Sequence, residues 1–384
     1  MAEQSISINP ELIRWAVARS GRSAATLACT LPKIAEWELG LTQPTLSQLE
    51  KLAKKTWTPL GYFFLPEPPE ERLPVTDFRT VRDKPIPRLS PNLIDTLHTM
   101  QRRQAWMREY LLEMGHEPLP FIGSARTSDE ISAVAQRIRR ILGIADGWAS
   151  LISTWTEALS VLREAAEAAG IMVIINGVVG NNTKRKLDPD EFRGFVLSDA
   201  HAPLVFLNGS DARSAQMFTL AHELVHLWMN EGGLFNLPEL RASSHKIEQF
   251  CNKVAAEFLV PARELKRFWP EVKSNPEPFQ AIARHFKVSP IVAARRALDL
   301  GLIGSQAFFE FFNAYQDDER RKAAAKKGGG DFYNNQNVRV GKRFARTVMH
   351  AAKEGRLLYR DAYSLTGLNG ATFDKYAKAL GMSV

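Results

Sequence analysis

The sequence predicts an α+β protein, mostly helical, in which a small antiparallel sheet packs on one buried helix and helical domains flank the pair. Three observations predict it. Short runs rich in β-branched and aromatic residues occur at 171–177, 194–199 and 203–209, the last two joined by the polar residues at 200–202. Residues 211–230 follow without Gly or Pro, and Met217, Leu220, Ala221, Leu224, Val225 and Leu227 recur at the spacing of a helix buried along one side. Elsewhere apolar residues repeat with helical periodicity between Pro- and Gly-rich breaks.

Composition bounds the class. Of the 384 residues 45% are hydrophobic and 24% charged, which suits a globular chain with more than one core and excludes disordered and fibrous classes. No run reaches the roughly 18 apolar residues that cross a bilayer, and the opening MAEQSISINPELIRW has no basic stretch followed by an apolar one. A cytoplasmic protein without a membrane partner is expected. The two cysteines, Cys29 and Cys251, lie far apart, so a metal site must draw on His and carboxylate side chains.

Turn-rich stretches divide the chain. FLPEPPEERLP at 64–74 ends a small helical domain at 1–66, whose apolar positions include Leu12, Trp15, Leu27, Ile34, Trp37, Leu46, Leu49 and Leu52. Residues 67–150 read as a linker and helical support, with Arg102, Arg103, Arg137, Arg139 and Arg140 on solvated faces. The strands and the long helix fall in a domain at 151–265. FWPEVKSNPEPF at 268–279 breaks the next unit, helical and helix-turn-helix-like, at 266–325, and KKGGGDFYNNQN at 326–337 opens a basic helical element at 326–384. Residues 320–384 hold 14 Lys and Arg against 4 Asp and Glu. Such a segment is either a solvated helical face or a surface for a polyanion, such as DNA, or an acidic protein.

The long helix carries His222-Glu223-Leu224-Val225-His226, the H-E-x-x-H arrangement. A spacing of four places both imidazoles on one helix face, where they can share a zinc ion; Glu223, about 100° further round, can reach a water there as general base. Zinc needs a third protein ligand. The downstream helix KIEQFCNKVAAEFLVP offers Glu248 and Glu257, nine residues apart and so on opposite faces. Glu248, Cys251, Asn252, Ala255, Ala256 and Leu259 form one stripe of mostly small residues, which lets this helix approach the first and selects Glu248; Glu257 is left on the exposed face. His245 is an alternative ligand, and His201, Arg213 and His245 are the nearby candidates for an oxyanion donor. An extended substrate is expected to add as a strand beside Leu204, Phe206 and Asn208.

Two resemblances follow from these residues. The N-terminal segment, with Trp37, Glu38, Gly40, Pro44 and Thr45 and the later PLGYFFLP, looks like the helix-turn-helix of XRE-type regulators, particularly the form fused to ImmA/IrrE-type zinc peptidases. Only ACTLPKIAE separates Leu27 from Trp37, too short for a second helix, turn and recognition helix of usual length. The unit therefore reads either as a packing or dimerisation module or as a DNA-binding one. The second resemblance is to the ImmA/IrrE family, whose H-E-x-x-H followed by E-x-x-A-N-x-F-A-x-x-L-L-x-P is matched by His222, Glu223, His226, Glu248, Asn252, Ala255, Leu259 and Pro261, with Cys251 and Val254 as departures. It implies a gluzincin-like zinc endopeptidase acting on a repressor or antitoxin-like regulator. The alternative is a DNA-binding regulator, or the antitoxin of a cognate toxin, whose metal site is structural or silent.

Overall fold

The computed structural model describes residues 5–71, 89–230, 246–317 and 336–382, with the backbone of 76–77, 80–81, 84–85 and 233–235. The chain forms two compact units, Met1–Pro74 with Val81–His98, and Val75–Thr80 with Thr99–Val384.

In the first unit, α1 (Pro10–Arg19), α2 (Ala24–Ala28), α3 (Ile34–Glu38) and α4 (Leu46–Thr56) precede a 3₁₀ turn, Leu60–Phe64. Asn9 caps α1 with Pro10 at its first position, and Thr45 with Gln48 forms a capping box at α4, so local chemistry starts both helices. Leu12, Ile13, Leu27, Ile34, Trp37, Leu49, Leu52 and Phe63 make the core. Helices α2 and α3 have only five residues each. The linker expected at 64–74 is described as far as residue 71; the remainder lies outside the described residues.

Short strands β1 (Thr76–Asp77), β2 (Thr80–Val81) and β3 (Lys84–Pro85) lead to α5 (Pro91–Glu113). The second unit continues with α6 (Ile131–Leu142), α7 (Trp155–Ala168), β4 (Met172–Asn176), the hairpin β5 (Val178–Val179) and β6 (Asn182–Lys186), β7 (Gly194–Leu197), β8 (Leu204–Asn208), α8 (Arg213–Met229) and β9 (Gly233–Phe235). Then come α9 (Lys246–Leu259), α10 (Ala262–Val272), α11 (Pro278–Phe286), α12 (Pro290–Asp299) and α13 (Ser305–Asp317). After a π-helical turn, Asn337–Gly341, the chain ends in α14 (Lys342–Lys353), α15 (Tyr359–Thr366) and α16 (Ala371–Ala379).

The main sheet has the order β1-β9-β7-β8-β4 and is mixed, not antiparallel as expected: β8 runs parallel to β4, from Met172↔Leu204 to Asn176↔Asn208, and antiparallel to β7. The reason is the excursion at 177–193. It carries the chain past the neighbouring position before β7 forms, and the tight reversal at 198–203, where Asp199 accepts from the backbone N–H groups of His201 and Ala202, folds β8 into the gap. Side chains alternate between faces: Val173, Ile175, Val196, Val205 and Leu207 join the core with α7 and α8, while Phe195 and Phe206 stack at 4.8 Å on the other side.

Two arginines expected on solvated faces are buried. The Arg103 guanidinium donates to the carbonyls of Leu365 and Arg339 and lies over the Phe344 ring, so it fastens the C-terminal helices to α5. Arg139 donates twice to the Phe258 carbonyl at the end of α9 and pairs with Asp146. Both act as caps for carbonyls that a helix end leaves without partners.

Candidate metal centre

Helix α8 is buried continuously from Gln216 to Trp228, with β7 and β8 on one side and α7 and α9 on others. Its C-terminal end is held by more than its own turns. Gly123 and Ala125 donate backbone N–H groups to the Leu227 and Trp228 carbonyls, and Asn230 closes the helix in the left-handed conformation at φ 55°. Helix α9 is fixed at its far end by Arg139 and by Arg296, which donates to the Val260 carbonyl and ion-pairs with Glu257. Glu257, expected on an exposed face, is thus half-buried and tied to α12, because α10 and α12 pack where solvent was expected.

These anchors set α9 beside α8 so that Glu248, in the first turn of α9, meets both imidazoles. Glu248 Oε2 is 3.2 Å from His222 Nε2, Glu248 Oε1 is 3.2 Å from His226 Nε2, and the two Nε2 atoms are 2.9 Å apart. Tetrahedral zinc with ligands at about 2.0–2.1 Å has ligand-to-ligand edges of about 3.3 Å, so the three donors already sit close to that triangle. Among the described residues no second group of three His, Cys, Asp or Glu converges in this way.

Glu223 lies alongside, 1% exposed, and its Oε1 has no hydrogen-bond partner among the described residues. A buried carboxylate oxygen without a donor costs stability unless the site serves something that engages it. Burial, reinforced by the charge of Glu248 and opposed by His226, pushes the Glu223 carboxyl up to about 8. Burial also works to raise Glu248, but the two imidazoles outweigh it and hold this carboxyl below its ordinary range. Burial lowers His222 against the pull of Glu248, whereas at His226 the opposing effects of Cys251 and Glu248 exceed burial and raise the imidazole.

Three participants were not legible as such in the sequence. Cys251 and Asn252, three and four residues after Glu248, lie beside the imidazoles, Cys251 acting to raise His226 and Asn252 to raise His222; in the sequence they read as part of a packing stripe and as positions of the family motif. The third is Gly194, at the start of β7. A Cβ there would lie 2.8 Å from Thr219 Cγ2, 2.9 Å from Glu223 Oε1 and 3.0 Å from the Phe206 carbonyl oxygen, so only glycine leaves room for Glu223 in its present position.

Leu204, Phe206 and Asn208 do not offer the expected substrate edge. They lie on β8, which is bonded to β4 on one side and β7 on the other, and all three are fully buried. A strand with both ladders satisfied cannot accept a third. Asn208 instead donates to the Phe192 carbonyl and accepts from the Ser210 backbone N–H. Arg213 bonds Gln216 in the first turn of α8, nine residues and about 13 Å of helix rise from His222. His201 sits in the reversal before β8, and His245 lies outside the described residues.

No helix of the described residues is long and apolar enough to cross a membrane. Residues 166–298 match the family model of the IrrE N-terminal-like domain, and residues 340–379 match a domain of unknown function (DUF8813). No curated protein and no solved structure matches the chain. The segment that holds the strands, α8 and α9 is therefore similar to the metallopeptidase-type domain of ImmA/IrrE proteins, and the His222, His226 and Glu248 cluster falls inside it.

Proposed function

We propose that the chain is a zinc-dependent endopeptidase, cytoplasmic in setting, that cleaves a regulatory protein such as a repressor or antitoxin-like partner. The observation that carries this reading is the convergence of His222, His226 and Glu248 next to a buried carboxylate, Glu223, that belongs to none of their contacts. Zinc held by His222, His226 and Glu248 supplies Lewis acidity toward water and a peptide carbonyl. Glu223, buried beside the donor triangle, takes the proton of the attacking water and delivers it to the leaving nitrogen. The buried surroundings keep competing water away from the carboxylates.

The test is Glu223→Gln. It keeps the three ligands, so zinc content by atomic absorption and the thermal melt stay as in the parent protein. Cleavage of the partner falls about 10²- to 10⁴-fold, the loss typical of a positioned base. A second reading, a regulator or antitoxin with a silent metal site, draws on the basic C-terminal element. It requires full cellular activity in Glu223→Gln and loss only when His222 or His226 is replaced, and that outcome sinks the peptidase.

A further inference from the structure

We infer that residues 342–379 form a DNA-binding helix-turn-helix that presents α16 to the major groove of duplex DNA, a function separate from the peptidase reading. The observation is a fold and a charge pattern that coincide. Helix α15 has eight residues, α16 has nine, and the four residues 367–370 join them. Two glycines make that turn possible: Gly367 ends α15 at φ 70° and Gly370 precedes α16 at φ 49°, both in the region that side chains disfavour. Ala362, Thr366, Leu368, Phe373 and Tyr376 are buried between the pair and α14, with the Tyr363 and Phe373 rings 5.2 Å apart. A short helix, a glycine turn and a second helix packed through such a core are the parts of the motif that reads DNA.

The inner face of α16 is used for packing, and its outer face is open. Ala371, Lys375, Lys378 and Ala379 are exposed and fall at i, i+4, i+7 and i+8, one stripe along the helix. Small residues at both ends of the stripe allow close approach to a groove about 12 Å wide, and the two lysines lie between them. Around this helix the exposed charges are mostly positive: Arg346, Lys353, Arg356, Arg360, Lys375 and Lys378, against the acids Glu354, Asp361, which pairs with Arg360, and the half-buried Asp374 of the described segment. Glu354 is engaged by His350 and Arg356. Arg346, Lys353, Lys375 and Lys378 have no acidic partner among the described residues, which is how phosphate-binding cations are left in a protein without its nucleic acid.

The folded position of the motif supports the same use. The Asn337–Gly341 turn and Arg103 hold it through its back: Arg163 donates to the Asn337 carbonyl and Tyr376 to Asn337 Oδ1, leaving the outer stripe of α16 clear of these anchors. An acidic protein surface would satisfy the charge but has no use for a helix-turn-helix; duplex DNA uses both.

The full-length protein is titrated against a fluorescent random-sequence duplex of about 24 base pairs, by anisotropy, between about 50 and 200 mM salt. Binding is expected, with log affinity falling linearly against log salt. Lys375→Gln with Lys378→Gln should weaken binding at least about 10-fold at the lower salt and reduce the slope by about 2, one per lost phosphate contact. Lys375→Arg with Lys378→Arg should restore most of the affinity, and all variants should melt as the parent does. No binding at the lowest salt overturns the inference, as does an unchanged slope in the glutamine variant. Tighter binding of single-stranded RNA of the same length, or of an acidic polypeptide, overturns it in favour of those partners.

Discussion

Gly194→Ala tests the packing behind Glu223, the proposed general base, without touching a proposed metal ligand. The added methyl carbon would meet Thr219 Cγ2 at 2.8 Å, Glu223 Oε1 at 2.9 Å and the Phe206 carbonyl oxygen at 3.0 Å, all inside ordinary contact distance. The backbone cannot retreat, because Gly194 pairs with Leu207 of β8 on one side and with Phe235 of β9 on the other. Phe206 O belongs to a central strand and Thr219 to a buried helix, so Glu223 is the group that must swing away. Overpacking of this kind costs about 1–3 kcal/mol, which for a unit of this size lowers the melting temperature by roughly 2–10 °C. His222, His226 and Glu248 keep their contacts, so about one zinc per chain is retained. Cleavage should fall about as far as in Glu223→Gln, by 10²- to 10⁴-fold. Calorimetry, atomic absorption and a cleavage assay on the same preparation read the three quantities. Gly61→Ala is the control, since nothing lies within 4 Å of its added methyl, and it should stay within about 0.5 kcal/mol of the parent. A Gly194→Ala protein with the parent's melting temperature and full cleavage would refute the placement of Glu223 against β7.

His222→Ala and Glu248→Ala each delete one corner of the donor triangle, and both should be recovered with less than about a tenth of the parent's zinc after dialysis against a weak chelator. Full metal retention by Glu248→Ala would move the third ligand elsewhere. Asn252→Ala leaves the triangle intact but removes the polar side chain that acts on His222, so zinc affinity measured by competition should drop about 10- to 100-fold; unchanged affinity would show that Asn252 only fills space.

How far the sequence reveals this architecture depends on the range of the interaction concerned. Helix α8 and its motif are legible because the apolar residues and both histidines recur within one helix, and Glu248 is singled out by its own stripe in α9. Their approach to 3.2 Å is then a consequence of small residues at Cys251, Ala255 and Ala256. Strand positions are legible for the same local reason. Strand direction is not, since whether β8 lies parallel or antiparallel to β4 is decided by where the 177–193 excursion sends the chain. That one unknown also misplaced the substrate edge on Leu204, Phe206 and Asn208. Arg103 and Arg139 look like solvated helix residues until carbonyls contributed 262 and 119 positions away close over them. Gly194 carries no sequence signal beyond the start of a strand. What it does is leave a space, and the occupant of that space, Glu223, comes from a later helix.

Helix α8 brings folding and chemistry into conflict at one residue. A helix buried on every face should be apolar throughout, yet His222, Glu223 and His226 lie at its centre and Glu248 is set against them. Three of these four compensate one another, because the two imidazoles share the Glu248 carboxylate. Glu223 is different, because its inner oxygen finds no donor among the described residues and its carboxyl is pushed to about 8. A buried carboxyl without a donor costs roughly 1–3 kcal/mol, an amount that anchoring elsewhere must offset. The surrounding structure is arranged for that: backbone N–H groups of Gly123 and Ala125 close the end of α8, Arg139 and Arg296 close the end of α9, and glycine at 194 removes the last atom that would crowd the carboxylate. None of these groups takes part in a reaction. Each keeps an unfavourable side chain in the position from which, on the proposed reading, it moves a proton.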